Sequence, residues 1–334
     1  MTAAEVFGTL PDGRPVSRHR IGAGDLEAYV LPWGGIVQDL RYRGRRVVVG
    51  ADMLDPYLAE LRYAGAMVGR YANRIAGARF TLDGATWHTD PNFRDRHTLH
   101  GGAAGAGDRL WTVEEARPDA LRLSLTLPDG DMGFPGELTV SVLYSIRPPA
   151  TLHVEIEART TRATPCSFAH HGYFILDDSG TVLDHDLWIG AEHYLAVDDD
   201  LIPAGPPAPV AGTAFDFRDI RRIGTAGYDH NFCLSEAQGP LRPVARLSSP
   251  ESGVTMEVAT TEPGLQVYDG AHLSGAPGHA GRRLKAHAGL AMETQAWPDS
   301  PNRPDFPDCI LRPGDTYRAE TSYSFSTRDQ GRRA

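Results

Sequence analysis

The sequence predicts an all-β protein, a large antiparallel β-sandwich with few short helices. Three observations carry that expectation: hydrophobic alternation of period two, turn residues spread along the chain, and scarce helical text. Leucine alternates with polar residues in LRLSLTL (121–127), and the same period runs through ELTVSVLYSI (137–146) and TLHVEIEA (151–158). Such segments are half-buried strands, one face on a core and the other wet. Thirty-six glycines and 25 prolines among 334 residues are more than a helical protein tolerates.

RFTLDGATWH (79–88) reads as two short strands joined by Asp83-Gly84, a two-residue turn of the I′ type. Further turn signals stand at PDGDMGFPG (128–136), RPPA (147–150), PAGPPAP (203–209) and RPGD (312–315). The best helical candidate is DPYLAELRY (55–63). PAGPPAPVAG (203–212) has the composition of a linker, but strand-like text lies on both sides. It is therefore expected to be a long surface connection inside one domain spanning 1–334, with a two-domain split as the alternative. In TPCSFAHHGYFIL (164–176), strand geometry sends His170 and His171 to opposite faces. One is expected to pack away while the other looks into a cleft.

A net charge of −10 argues against a nucleic-acid partner and favours a small or neutral ligand. Lys285 is the only lysine and is followed by Ala286, so no P-loop exists, and Schiff-base chemistry has a single candidate. Cys166, Cys233 and Cys309 form no C-x-x-C, which disfavours a disulfide framework or a zinc knuckle. The N-terminus lacks a signal-peptide pattern, and no run of 18 apolar residues occurs. A cytoplasmic protein without a membrane span is the expectation.

Four stretches concentrate ligand-capable residues within apolar β text. VGRYANRIAG (68–77) brings Asn73 and Arg74, whose forked cation suits a hydroxyl, carbonyl or carboxylate; an arginine covering a strand edge is the bland alternative. NFRDRHTLHGG (92–102) brings His97 and His100, but no H-E-x-x-H pattern and no carboxylate at a matching position nearby, so no metal is expected. The third stretch is 164–176. In the fourth, LAMETQAWPDSPN (290–302), Glu293 ends an apolar run, where a carboxylate is costly unless paired or used. Desolvation would fit it to act as a general base; a structural hydrogen-bond network is the alternative. GYDHNF (227–232) adds Asp229 and His230, and PGLQVYDGAHL (263–273) adds Gln266 and Tyr268. Acids and bases of neutral range, hydroxyl-binding groups and aromatic faces, with no cofactor cradle, are what proton transfer on a sugar needs.

The chain resembles the aldose 1-epimerase family, of the galactose mutarotase type. The resemblance runs nearly end to end, from FGTLPDGRPV (7–16) and GGIVQDL (34–40) to FPDCILRPGDTY (306–317). Between them stand GRYANRI (69–75), LHGG (99–102), DGDMGFPG (129–136), HGYF (171–174), GYDH (227–230), PGLQVY (263–268) and ETQ (293–295). The resemblance implies a galactose mutarotase-like supersandwich that interconverts the α and β anomers of a free aldose. It needs no cofactor, and its partner is a monosaccharide, with the chain a monomer or homodimer.

Carried over motif by motif, the resemblance makes Glu293 the general base and His171 the general acid, with His100 beside the ring oxygen and the developing charge. Asn73, Arg74, Tyr173, Asp229 and Gln266 match sugar-binding positions, and His170, where the family usually has asparagine, is expected either to support the site from behind or to be packed away. His97, Ile175, Asp269 and Ala271 depart from the family pattern and are expected to line or support the cleft, which leaves the particular aldose open. A hexose-6-phosphate 1-epimerase, marked by cations converging at one end of the cleft, is an alternative. So are a non-catalytic sugar-binding module and a two-carboxylate glycosidase using Asp229 or Asp269 with Glu293.

Overall fold

The computed structural model describes residues 4–327. The three alternating segments become Ala120–Leu127, Leu138–Arg147 and Thr151–Thr160, adjacent strands of one antiparallel sheet of nine. The last long strand, Tyr317–Thr327, inserts between Thr151–Thr160 and Val254–Thr260 and so joins the two halves of that sheet. Its inward leucines and valines, among them Leu121, Leu123, Val140, Val142 and Val154, fall in one core with residues of two further sheets. One is the N-terminal sheet of five strands, which contributes Ile21, Ala28, Val30 and Leu40. The other has six strands and carries the residues of interest.

The order in that sheet is Tyr173–Phe174, Leu290–Gln295, Gly264–Tyr268, Asp229–Cys233, His193–Tyr194 and Ala208–Pro209. Directly opposed residues share a face in antiparallel pairing. Phe174, Leu290, Met292, Leu265, Val267 and Phe232 point into the main core. The residues between them form two rows on the other face. Tyr173, Ala291, Tyr268 and Asp229 make one, and Glu293, Gln266 and Asn231 make the second. Ala208–Pro209, from the 203–212 connection, closes the outer edge, where proline's missing N–H costs nothing.

Asp83 (φ 50°) and Gly84 (φ 78°) both take the left-handed conformation that a I′ hairpin needs, as expected. The 55–63 stretch differs from expectation: only Asp55–Leu58 is helical, as a single 3-10 turn. Pro56, Tyr57 and Leu61 are all buried, so packing decides the path where a segment this short could not hold a helix alone. Tyr63 (φ 72°) and Gly65 (φ 73°) then turn the chain sharply.

The paired histidines divide as strand geometry requires. His170 pairs with Met67 and buries its ring edge-on against Tyr144, Phe174 and Tyr323. Neither of its ring nitrogens has a protein partner, and burial holds its pKa down to about 3. His171 faces the other way, its peptide fixed by N–H donation to Ala66 and acceptance from Gly65, both 2.8 Å.

A histidine depressed by burial gives stability that is complete above its unfolded pKa of about 6.5 and is lost as pH falls below it. Between pH 6.5 and pH 5, His170 accounts for about 2 kcal/mol of that loss. The His170→Leu variant should therefore lose less stability than wild type when denaturant unfolding at pH 5 is compared with pH 7.5. Equal losses would contradict this account of His170.

Candidate active site

A cleft of about 650 Å³ opens over the outward face of the six-stranded sheet. Seven of the eight singled-out residues line it: Asn73, Arg74, His100, His171, Tyr173, Asp229 and Glu293. Gln266 lies one layer behind, donating from Nε2 to Asp229 Oδ1 at 2.6 Å.

The central geometry is His171 Nε2 at 3.4 Å from Glu293 Oε1, with both side chains buried. Burial pushes the two groups in opposite senses because it penalises whichever form is charged. Glu293 is raised well above the carboxylate range, by burial first and then by Asp229, with Arg74 opposing. His171 is lowered to about 4, chiefly by burial. Glu293 Oε2 and His171 Nδ1 have no protein partner.

His100 reaches the same point from a different element. Asn73 and His100 exchange backbone bonds: His100 N–H donates to Asn73 C=O at 3.0 Å, and Asn73 N–H donates to His100 Nδ1 at 3.1 Å. Both residues are left-handed, at φ 69° and φ 52°, a conformation uncommon for histidine. Nδ1 is thus an acceptor, so the ring of a neutral His100 carries its proton on Nε2. Burial, then the neighbouring His171 and arginines, keep His100 neutral by lowering its pKa well below the usual value. Its ring centroid stands 5.2 Å from that of His171, and Tyr63 packs edge-on at 4.9 Å.

Arg74 is held on three sides. Asn73 Oδ1 accepts from its backbone N–H at 2.9 Å and from Nη1 at 3.3 Å, Nη2 donates to Asp229 Oδ2 at 3.0 Å, and the guanidinium lies over the Phe93 ring. Asp229, at the cleft wall, accepts from both Arg74 and Gln266. Arg62, the other cleft arginine, is paired with Asp108 at 3.0 Å. Both arginines being engaged, no converging free cations of the kind that mark a sugar-phosphate site stand in the cleft among the described residues.

Of the residues that depart from the family pattern, Asp269 and Ala271 line the cleft, whereas His97 and Ile175 stand behind it. His97 Nδ1 accepts from Gly77 N–H at 3.0 Å, and its Nε2 lies 3.3 Å from Asp200, which also binds Arg94 and Arg96. Asp269 accepts from the N–H groups of Tyr228 and Ala271, tying down a turn. Ile175 packs against the core. Tyr63, Phe93, His272 and His287, which no motif singles out, also line the cleft. Tyr268, singled out with Gln266 from the sequence, stands two residues from it on one strand and lines the cleft. Its hydroxyl bonds His272 Nδ1 at 2.7 Å, and the two rings stack.

Fold and cleft together define a sugar-acting enzyme of the β-sandwich type. The aldose 1-epimerase family model matches residues 17–324. Galactose mutarotase from Rattus norvegicus is 40% identical, over 96% of this chain and 97% of its own, and that from Homo sapiens is 39% identical over the same shares. Aldose 1-epimerase from Escherichia coli (strain K12) is 34% identical, over 96% and 98%. Among solved structures, an aldose epimerase homologue from C. elegans superposes with a TM-score of 0.89 at 30% identity, covering 94% of this chain and all of its own. Galactose 1-epimerase from Lactobacillus acidophilus gives 0.85 at 25%, covering 98% and 99%. The chain belongs to the aldose 1-epimerase family, a family of isomerases.

His97 and His100 do not form a metal pair, since His97 is spent on Gly77 and Asp200. Instead His100, His171 and Glu293 place one donor atom each within 4.8 Å of one another, although no carboxylate neighbours His100 in the sequence. Two imidazoles and a carboxylate are a donor set that zinc accepts. If those atoms must carry protons during turnover, added zinc should inhibit competitively with sugar, and a chelator should restore full activity. Stimulation by zinc, or loss of activity on chelation, would argue against proton transfer by Glu293 and His171 with His100 as a hydrogen-bond donor.

Proposed function

We propose that the cleft opens and recloses the ring of a free aldose, exchanging its α and β anomers, with Glu293 as general base and His171 as general acid. The observation that carries this reading is the buried His171–Glu293 contact at the cleft floor. Glu293 takes the proton from the anomeric hydroxyl while His171 gives one to the ring oxygen. The C1–O5 bond breaks, and C1–O1 becomes the aldehyde. Rotation about C1–C2 presents the other face, and the same groups run in reverse to close the ring. Each positioned proton transfer contributes roughly 10²–10⁴ in rate.

Around that pair, the neutral His100 serves as a hydrogen-bond donor beside the ring oxygen. Asn73, Arg74, Tyr173 and Asp229 hold the hydroxyls, with Gln266 fixing Asp229 from behind. The unpartnered Nε of Arg74 and Oε2 of Glu293 support a polyol ligand, which can satisfy both. A hexose of galactose configuration is the first candidate, because the mammalian relatives are named for it. Interleaving of early and late residues in one core supports reading 1–334 as a single domain. No helix among the described residues is long and apolar enough to cross a membrane. Three free thiols favour a cytoplasmic setting.

Polarimetry of freshly dissolved α-galactose, α-glucose, arabinose, xylose and fucose tests the reaction. At least one should equilibrate far faster than in buffer, and His171→Ala and Glu293→Gln should each lose about 10²–10⁴ of that acceleration. Sugar binding without acceleration in wild type would move the chain to the sugar-binding alternative.

The pH profile tests the assignment separately. With His171 below Glu293, the pair gives up its last proton through Glu293, so Glu293 sets the high-pH limb of kcat/KM. Asp229→Asn removes a charge that raises Glu293 and frees Arg74 to lower it further. The high-pH limb should move to lower pH in that variant; a limb that stays or rises counts against Glu293 as the base.

A further inference from the structure

A second cavity, of about 620 Å³, lies outside the sugar cleft. The loop 271–288 serves both: Ala271, His272 and His287 line the cleft, whereas His279, Arg282, Arg283 and Lys285 line the second cavity. The two also share a wall. Val49, in the second cavity, donates its N–H to the carbonyl of Tyr173, which lines the cleft, at 2.8 Å.

The charge of this cavity runs against that of the chain. In a protein of net charge −10, five fixed cations line it, Arg45, Arg46, Arg282, Arg283 and Lys285, against two carboxylates, Asp177 and Asp178. Both carboxylates are already engaged. Asp177 accepts from Ser179 and Ser249, and Asp178 pairs with Arg45 at 2.6 Å. Arg46 leans on Asp39 and Asp52 behind the wall, and Asp52 is also held by His279 and the N–H of Ala280. Arg282, Arg283 and Lys285 have no carboxylate within ion-pair distance among the described residues, and Arg283 donates only to the Gly275 carbonyl. Val48, Val49, Ile175 and Leu284 add apolar surface to the same lining.

Three cations without carboxylate partners and apolar side chains in one lining, in a volume several times that of an inorganic anion, fit a ligand with a phosphoryl end and an organic body. We propose that this cavity binds a small phosphorylated metabolite, with Arg282, Arg283 and Lys285 around the phosphoryl group. The chain's only lysine is one of the three.

Calorimetric titration of the full chain with pyrophosphate, glucose 1-phosphate and ATP tests the proposal, and the three probes separate a bare phosphoryl site from a sugar-phosphate or nucleotide site. At least one should bind once per chain with Kd below about 1 mM. Binding should weaken about tenfold or more in Arg282→Gln/Arg283→Gln/Lys285→Gln, and stay unchanged in Glu293→Gln and in the presence of galactose. The single variant Arg282→Glu gives the same comparison if the triple variant fails to fold. Three outcomes would overturn the proposal: no binding of any probe at about 10 mM, equal affinity in wild type and cavity variants, or competition by galactose. The last would place the anion in the sugar cleft. Sugar anomerisation by the cavity variants without added phosphate should match wild type, so a failed titration is distinguishable from a failed epimerase assignment.

Discussion

The cleft depends on the register between Gly264–Tyr268 and its two neighbours, Leu290–Gln295 and Asp229–Cys233. Gln266 stands opposite Glu293 on one side and Asn231 on the other, while Tyr268 stands opposite Ala291 and Asp229. Side chains alternate with period two, so a slip of one residue would exchange the faces of a strand. Leu265, Val267 and Met292 would lose the core, and Gln266 and Glu293 would be driven into it unpaired. Burying an unpaired charge costs several kcal/mol, and losing a buried apolar side chain costs about 1.5–3 kcal/mol. Packing of the core face therefore specifies the chemistry of the cleft face.

Desolvation then sets the proton inventory of the floor. Glu293 and His171 are buried side by side, and each is pushed toward its neutral form. The neutral pair and the carboxylate–imidazolium pair hold the same number of protons, so one can become the other by a shift within the site. Asp229 is instead held by Arg74 and Gln266, each donating to one of its two oxygens. Three acidic or basic groups close together thus take different roles through their partners. The Asp229–Arg74 pair is also well shielded, with side-chain exposures of 24% and 8%, which sets it apart from the surface pairs that contribute little.

Positioning extends well beyond the sheet. His100 comes from a loop whose left-handed backbone is closed by reciprocal bonds with Asn73. The segment before it is pinned by His97, Arg94 and Arg96, which all converge on Asp200 in a loop more than a hundred residues away. The loop 271–288 completes the rim and simultaneously floors a basic cavity, so one segment answers to two different environments.

Much of this was legible in the sequence because it rests on local periodicity or short motifs. Alternating leucines and valines at 121–127, 137–146 and 151–158 determine strands with one buried face, since only period two places them all on a core. Asp83-Gly84 determines its turn through the backbone conformations those residues tolerate. The adjacency of His170 and His171 already required opposite environments. Their destinations were tertiary: His170 packs among aromatics supplied by residues 144, 174 and 323, and His171 meets a glutamate 122 positions further on. No spacing rule links those segments. The same holds for the 55–63 stretch, where burial of Tyr57 and Leu61 overrode a helical pattern, and for Tyr63, Phe93, His272 and His287, which enter the cleft from loops. Strand identity follows from which side chains each residue has beside it in the chain. The site follows from which strands become neighbours, and that was decided by the core.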